Sequence, residues 1–312
     1  MRPRVAITGA TGFIGPHIVR RLCADWQVRI LARRAVDPAQ IGADVEVVRG
    51  DLHDRDSLQR LVEGAAAVVH VAGLIKARTR REFFRANAES VARLAESAAA
   101  APDPPRFLLI SSLAAREPDL SDYAASKRAG EAALIAAGGA LPWTILRPPA
   151  VYGPGDSATL FFFRCVRYGI GPVLGSERAR FSLLHVTDLA RAVGILLADD
   201  RTAGLIADVD DGHGGYGWRE MTETAAEAFG RHARIVRIPR AIAYGVGLLN
   251  QGLAWLPGYT PMLTPGKVRE LYHSDWVCEP SPIVTRTAWR PEVPLRQGFA
   301  STIAWYRQQG WL

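Results

Sequence analysis

The strongest constraint on what this chain can fold into lies near its start. Thr8-Gly9-Ala10-Thr11-Gly12-Phe13-Ile14-Gly15 stands between a short β-like run, Arg4 to Thr8, and helix-like sequence beyond it. Gly9 permits a tight turn, Gly12 lets backbone approach a ligand with no Cβ in the way, and Gly15 lets the helix pack closely on the strand. The free N–H groups and dipole at the start of such a helix favour an anion. Strand, glycines and helix in this order therefore point to a dinucleotide pyrophosphate, with contacts expected from Gly9, Thr11, Gly12, Phe13 and Ile14; a plain Gly-rich turn is the alternative.

The next 140 residues keep the same rhythm. Strands are expected at 4–8, 28–32, 45–48, 67–71, 106–111 and 143–147, with helices at 56–63, 81–100 and 121–137. Short β-branched runs alternating with longer helical patterns make an α/β protein, a Rossmann-type doubly wound parallel sheet covered on both faces. After Arg147 the chain turns Pro- and Gly-rich, so the expected division is 1–150 for the nucleotide-binding domain and 151–312 for a smaller C-terminal substrate-binding lobe that also contributes elements to the sheet.

Composition narrows the partners. The chain has 312 residues, 48% hydrophobic and 22% charged, and a net charge of +7. The excess is almost all arginine, since the only lysines are Lys76, Lys127 and Lys267. These arginines are scattered, with no aromatic-interleaved basic stripe, so no nucleic-acid partner is expected. Cys23, Cys165 and Cys278 lie far apart without a C-x-x-C pair, which argues against a disulfide framework and against a metal site and fits a reducing cytoplasm. The first residues leave no room for a signal peptide, and no stretch reaches the roughly 18 to 20 apolar residues of a spanning helix.

Two features refine the ligand. An Asp or Glu at the end of the second strand usually binds the ribose 2′-OH of NAD, but here Leu31-Ala32 is followed by Arg33 and Arg34. Two guanidiniums suit the 2′-phosphate of NADP(H) and make NAD(H) the less favoured cofactor; solvated surface arginines are the alternative. Asp51 and Leu52, after the third strand, stand where adenine would be met, although Asp51 is equally placed to cap the following helix.

Tyr123 and Lys127 open a helix at i, i+4 spacing, which puts phenol and ammonium on one face. A nearby cation favours phenolate and suits a tyrosine to proton transfer. Ser112 follows the apolar run Phe107-Leu108-Leu109-Ile110 at a strand end, where ligands meet such a sheet, and its hydroxyl could polarise a substrate oxygen.

On these motifs the chain resembles an extended short-chain dehydrogenase/reductase, the superfamily of sugar-nucleotide epimerases and 3β-hydroxysteroid dehydrogenases. His70-Val71-Ala72-Gly73, Asn87, Ser111-Ser112, Leu146-Arg147-Pro148-Pro149-Ala150-Val151-Tyr152-Gly153 and His185-Val186-Thr187-Asp188 complete the likeness. The resemblance implies an enzyme in which Tyr123 is the general acid/base, Ser112 hydrogen-bonds the reacting oxygen, and Lys127 binds the nicotinamide ribose while tuning Tyr123. It also implies that Val71, Ala72, Gly73 and Asn87 border the cofactor, that Pro148 and Val151 flank the nicotinamide, and that a homodimer forms through helices 81–100 and 121–137.

Substrate is less legible. Sugar-nucleotide members carry an Asn where this chain has Ala150, which counts against a nucleotide sugar. The 234–260 segment is basic at Arg234, Arg237 and Arg240 and then apolar at helical spacing through Ile238, Ile242, Gly245, Leu249, Leu253 and Leu256, interrupted by Asn250, Gln251 and Pro257. It is either a core-facing helix or a lid or peripheral membrane-surface helix at the inner face of a membrane. The C-terminal half, with Pro261-Met262-Leu263-Thr264-Pro265, resembles the hydroxysteroid and ketone-reducing branch, which includes bacterial reductases of 3-oxo lipids such as the ketone precursor of ceramide. The leading expectation is thus an NADP(H)-dependent oxidoreductase interconverting a ketone and a secondary alcohol on a bulky apolar small molecule. The alternatives are a nucleotide-sugar epimerase, dehydratase or reductase, and a non-catalytic NADPH-binding assembly subunit.

Overall fold

The structure is a computed structural model and describes residues 2–36, 41–42, 44–137, 139, 141–256 and 258–312. The chain divides into two compact units. The first comprises Met1–Arg147, Leu189–Ala207 and Ser281–Trp289, and the second Pro148–Asp188, Asp208–Pro280 and Arg290–Leu312.

The first unit is built on strands β1 (Arg4–Thr8), β2 (Gln27–Ala32), β3 (Glu46–Arg49), β4 (Ala67–His70), β5 (Arg106–Ile110) and β6 (Trp143–Arg147). They lie in the order β6-β5-β4-β1-β2-β3, and a seventh strand, Leu205–Asp208, adds beside β6. Successive neighbours from β3 to β6 pair in parallel, with Val5 opposite both Val28 and Ala67. The strand order reverses at β1, so β1 and β4 form the switch point where a doubly wound sheet receives its ligand. A contribution to the sheet from beyond residue 150 was expected, but without a position. The seventh strand's short run Leu205-Ile206-Ala207-Asp208 carries too little periodicity to stand out, and its place is set by pairing at the sheet edge.

Helices α1 (Gly15–Leu22), α2 (Arg55–Val62), α3 (Arg80–Phe84), α4 (Ser90–Ala99) and α5 (Asp122–Ala137) belong to this unit, which also takes most of helix Val186–Leu197 and helix Pro282–Arg286. Strands β1, β4 and β5 are buried almost throughout, as a sheet covered on both faces requires. The expected single helix at 81–100 is divided: a π-helical turn, Arg85–Glu89, separates α3 from α4 and carries Asn87. The cap of α2 is Asp54, whose carboxylate accepts from the Asp56 and Ser57 amides, so Asp51 is not the helix cap.

In the second unit, Ala150–Tyr152 pairs in parallel with Leu183–His185, and Ile170–Leu174 with Arg234–Ile238. Its core is aromatic: Tyr152 stands edge-on to Phe299, and Phe163 contacts both Phe299 and Tyr306. Gly298 has to be glycine, because a Cβ there would enter the ring of Tyr152. The apolar segment forms helix Arg240–Leu253 after the strand that ends at Ile238. Pro257, expected to interrupt that segment, lies outside the described residues.

Candidate active site

The glycine turn separates two kinds of requirement. Gly9 has φ +74°, and a Cβ there would sit 2.5 Å from the Ala72 amide nitrogen, so both backbone and space demand glycine. At Gly15 a Cβ would collide with the Gly9 carbonyl and Ala10, which brings α1 close against the turn. Gly12 differs: the nearest atom to a Cβ there is the Gly9 oxygen at 3.5 Å. Nothing in the protein crowds that position, so the open cradle fits a ligand backed against the loop. The start of α1 has no side-chain cap at Ile14 and no acidic residue in its first turn, so its positive end suits an anion. These residues fit the pyrophosphate of a nicotinamide dinucleotide.

Arg33 and Arg34 are exposed just beyond the carboxyl end of β2, and neither makes a hydrogen bond or ion pair among the described residues. Asp51 accepts from the His53 amide at 2.9 Å, an Asx-type turn that orients its carboxylate beyond β3; Leu52, beside it, is half-buried.

The loop after β4 is tied down from both sides. The Val71 amide donates to the Thr8 carbonyl at 3.2 Å and the Ala72 amide to Thr8 Oγ1 at 3.4 Å. Thr8 Oγ1 also lies 2.8 Å from His70 Nδ1. Burial with Lys127 nearby lowers the His70 pKa to about 3, so this ring is neutral and structural in the working range. Asn87 clasps the next residues, accepting from the Leu74 amide at 2.8 Å and donating to the Leu74 carbonyl at 3.0 Å and to Ser126 Oγ at 2.9 Å. A Cβ on Gly73 would lie 2.8 Å from Asn87 Oδ1 and 3.8 Å from Lys127 Nζ, which places the lysine head beside the loop expected to border the cofactor.

Helix α5 presents Tyr123 and Lys127 one turn apart. Lys127 is buried, and its ammonium donates to the Ile110 carbonyl at 2.8 Å, at the end of β5 and two residues before Ser112. Burial lowers its pKa to about 8 against an opposing pull from Glu131. Ser112 caps a short 3-10 turn, its Oγ accepting from the Ala114 amide at 3.2 Å. That bond uses a lone pair and leaves the hydroxyl proton able to donate to a substrate oxygen. Tyr123 is half-buried, its ring edge-on to Phe83 with centroids 6.1 Å apart. The first unit thus gathers Ser112, Tyr123, Lys127, Asn87 and the 71–73 loop around the carboxyl ends of β4 and β5. Pro148 and Val151 belong to the second unit, Val151 in the middle of strand Ala150–Tyr152.

One partner was not assigned a role from the sequence. Glu131 is buried one turn beyond Lys127, where it accepts from Ser111 Oγ at 2.6 Å and binds Arg147 in a fork, at 2.8 Å to Nε and 2.6 Å to Nη2. It joins the ends of β5 and β6 to the helix that carries the tyrosine and lysine. The repeated four-residue spacing of Tyr123, Lys127 and Glu131 was the available signal, but the partners Ser111 and Arg147 are brought to it only by the sheet.

The model of the NAD dependent epimerase/dehydratase family matches residues 5–206, and the chain belongs to that family. It is a short-chain-dehydrogenase-type oxidoreductase with a nicotinamide cofactor. It is similar to ceramide reductase of Caulobacter vibrioides (strain NA1000 / CB15N), at 44% identity over 99% of this chain and 96% of that protein. Sterol demethylase protein B of Methylococcus capsulatus is 28% identical over 97% of this chain and 98% of its own length. Among solved structures, DesIV, a dTDP-glucose 4,6-dehydratase from Streptomyces venezuelae with NAD and TYD bound, superposes with a TM-score of 0.76 at 23% identity, covering 99% of this chain and 98% of that one.

Proposed function

We propose that this protein is an NADP(H)-dependent reductase of a ketone on a long-chain, lipid-like molecule, of the 3-oxo-sphingolipid class. The observation that carries the reading is the similarity to ceramide reductase along the whole length, at 44% identity over 99% of the chain. Two features of the first unit support it. Arg33 and Arg34 stand exposed and without a carboxylate among the described residues where a 2′-phosphate would lie. Leu74 and Ile75, directly after the cofactor loop, leave 41% and 52% of their surface exposed, an apolar rim suited to a hydrocarbon substrate.

When bound, the nicotinamide supplies the hydride. The chain's own residues handle the oxygen. Ser112 donates its free hydroxyl proton to the carbonyl and holds it in place. Tyr123 delivers a proton to that oxygen as it becomes an alkoxide, and the Lys127 cation one helical turn away stabilises the phenolate left behind.

The test is NADPH consumption measured side by side with a 3-oxo-ceramide, a 3-oxo-steroid and a 4-oxo nucleotide sugar. Turnover confined to the 3-oxo-ceramide is expected. Preference for the nucleotide sugar would overturn the substrate, and preference for NADH would overturn the cofactor.

A further inference from the structure

The second unit carries a helix whose polarity is turned inside out. Between Arg240 and Lys267 the sequence contains no Asp, Glu, Lys or Arg. Within this stretch, helix Arg240–Leu253 packs inward through small residues: Ala243 and Gly247 are buried, and a Cβ on Gly247 would lie 3.1 Å from the Pro265 nitrogen. Its large residues point the other way. Ile242, Val246, Leu249 and Leu253 recur at helical spacing along one exposed stripe, with Leu249 71% exposed. Trp255, just past the helix, is 91% exposed.

The helix is held in this attitude. Asn250 donates to the Leu263 carbonyl at 3.3 Å and accepts from the Tyr259 hydroxyl at 3.1 Å. An exposed apolar face of this extent on a fixed element marks an interaction surface. Its chemistry selects the occupant. Arg234 and Arg240, at the entry to the helix, are exposed and have no carboxylate partner among the described residues, whereas Arg237 and Lys267 are neutralised by Glu177 and Glu270. Apolar side chains for the acyl boundary, an indole for the interface and unpaired arginines for phosphates form the pattern of a helix lying in a membrane surface. Among the described residues no helix is long and apolar enough to cross a membrane, so the contact is one of lying on the bilayer.

We infer that helix Arg240–Leu253, with Trp255, docks the protein on an anionic phospholipid surface. Its inserted residues are Ile242, Val246, Leu249 and Leu253, and Arg234 and Arg240 meet the phosphates. Neither substrate nor cofactor is needed for this contact, so it stands or falls independently of the proposed reaction.

The experiment is flotation of the full-length protein, without ligands, with phosphatidylcholine vesicles containing about one-third phosphatidylglycerol, alongside pure phosphatidylcholine vesicles. The native protein is expected to float with the anionic vesicles, and less as salt is raised. Leu249→Glu with Leu253→Glu should weaken binding at least ~30-fold, since two buried leucines are lost and two charges of the wrong sign gained. Arg234→Ala with Arg240→Ala should remove the preference for anionic over neutral vesicles. Thermal melts confirm that the variants fold. The inference is overturned if the native protein stays unbound at millimolar lipid, or if the glutamate variant floats as well as the native protein. It is also overturned if light scattering shows the glutamate change only dissociating a dimer, the face then belonging to a second copy of this chain.

Discussion

Helices Asp122–Ala137 and Arg240–Leu253 reverse each other. The first buries charge: Lys127 and Glu131 are both buried, and every polar group named in that cluster has a partner. The second exposes hydrocarbon, with Ile242 60% and Leu249 71% accessible while Ala243 and Gly247 face inward. Burying an ammonium or carboxylate costs several kcal/mol unless it is paired, and leaving large apolar groups in water forgoes about 1.5–3 kcal/mol each. Such arrangements point to something beyond stability: the proposed chemistry at Tyr123 and Lys127 in one helix, and the inferred lipid contact in the other.

The largest effect should come from Tyr123→Phe. Loss of the proton donor is expected to lower turnover of the ketone by about 10²–10⁴-fold while leaving NADPH binding, followed by fluorescence, nearly unchanged. Retained turnover would strip α5 of its catalytic meaning and leave its buried charges merely structural.

Glu131→Gln comes next. It removes one partner of a buried, forked ion pair, and a loss of about 3–5 kcal/mol in denaturant unfolding is expected. It also separates stability from chemistry. Lys127 has a folded pKa of about 8, below its ordinary 10.5. Below pH 8 the buried cation therefore opposes folding in full, and between about pH 8 and 10.5, where the unfolded chain holds more protons, stability contributed at this site rises with pH. Activity should move the opposite way, kcat/KM for reduction falling above about pH 8 as the cation is lost. Because Glu131 raises the Lys127 pKa, the Gln variant should shift that fall to lower pH, an effect a purely structural carboxylate would not produce.

The glycine turn offers the same contrast at the scale of one methyl group. Gly15→Ala meets the Gly9 carbonyl and should destabilise the fold by about 1–3 kcal/mol. Gly12→Ala has room within the protein and should leave the Tm almost unchanged while weakening dinucleotide binding, measured by calorimetry. If both changes act alike, Gly12 answers to packing rather than to a ligand. Smaller still, Arg33→Ala with Arg34→Ala should weaken NADPH by about ten-fold and leave NADH affinity unaltered, the difference of a charge-assisted contact to a 2′-phosphate.

Much of the first unit was legible because its signals are local. The glycine spacing, six short β-branched runs and the i, i+4 pair of Tyr123 and Lys127 each depend on neighbours in sequence, and the observed strands begin and end within a residue of those expected. The π turn at Asn87 was not legible. It lies where Gly130 approaches closely, a Cβ there striking the Asn87 carbonyl, and that meeting is made by the packing of another helix. The role of Asp51 was undecided for a similar reason, since two aspartates stand near the start of α2 and only backbone geometry assigns the cap to Asp54.

The second unit shows where sequence periodicity stops. Spacing of Ile242, Leu249 and Leu253 established an apolar helical stripe but left open whether that stripe faces a core or the outside. A hydrophobic period reports that one face differs from the other, not which of them the protein covers. That was decided by Gly247 closing against Thr264 and Pro265, which commits the small-residue side to the interior. By itself the sequence determined the strands of the parallel sheet, the glycine turn and the one-turn spacing of Tyr123 and Lys127 on a helix, because each is written in residues a few positions apart. Only tertiary structure decided that Glu131 ties Ser111 and Arg147 to the helix of Tyr123 and Lys127, and that the hydrocarbon of helix Arg240–Leu253 points outward, because both depend on which distant segments pack together.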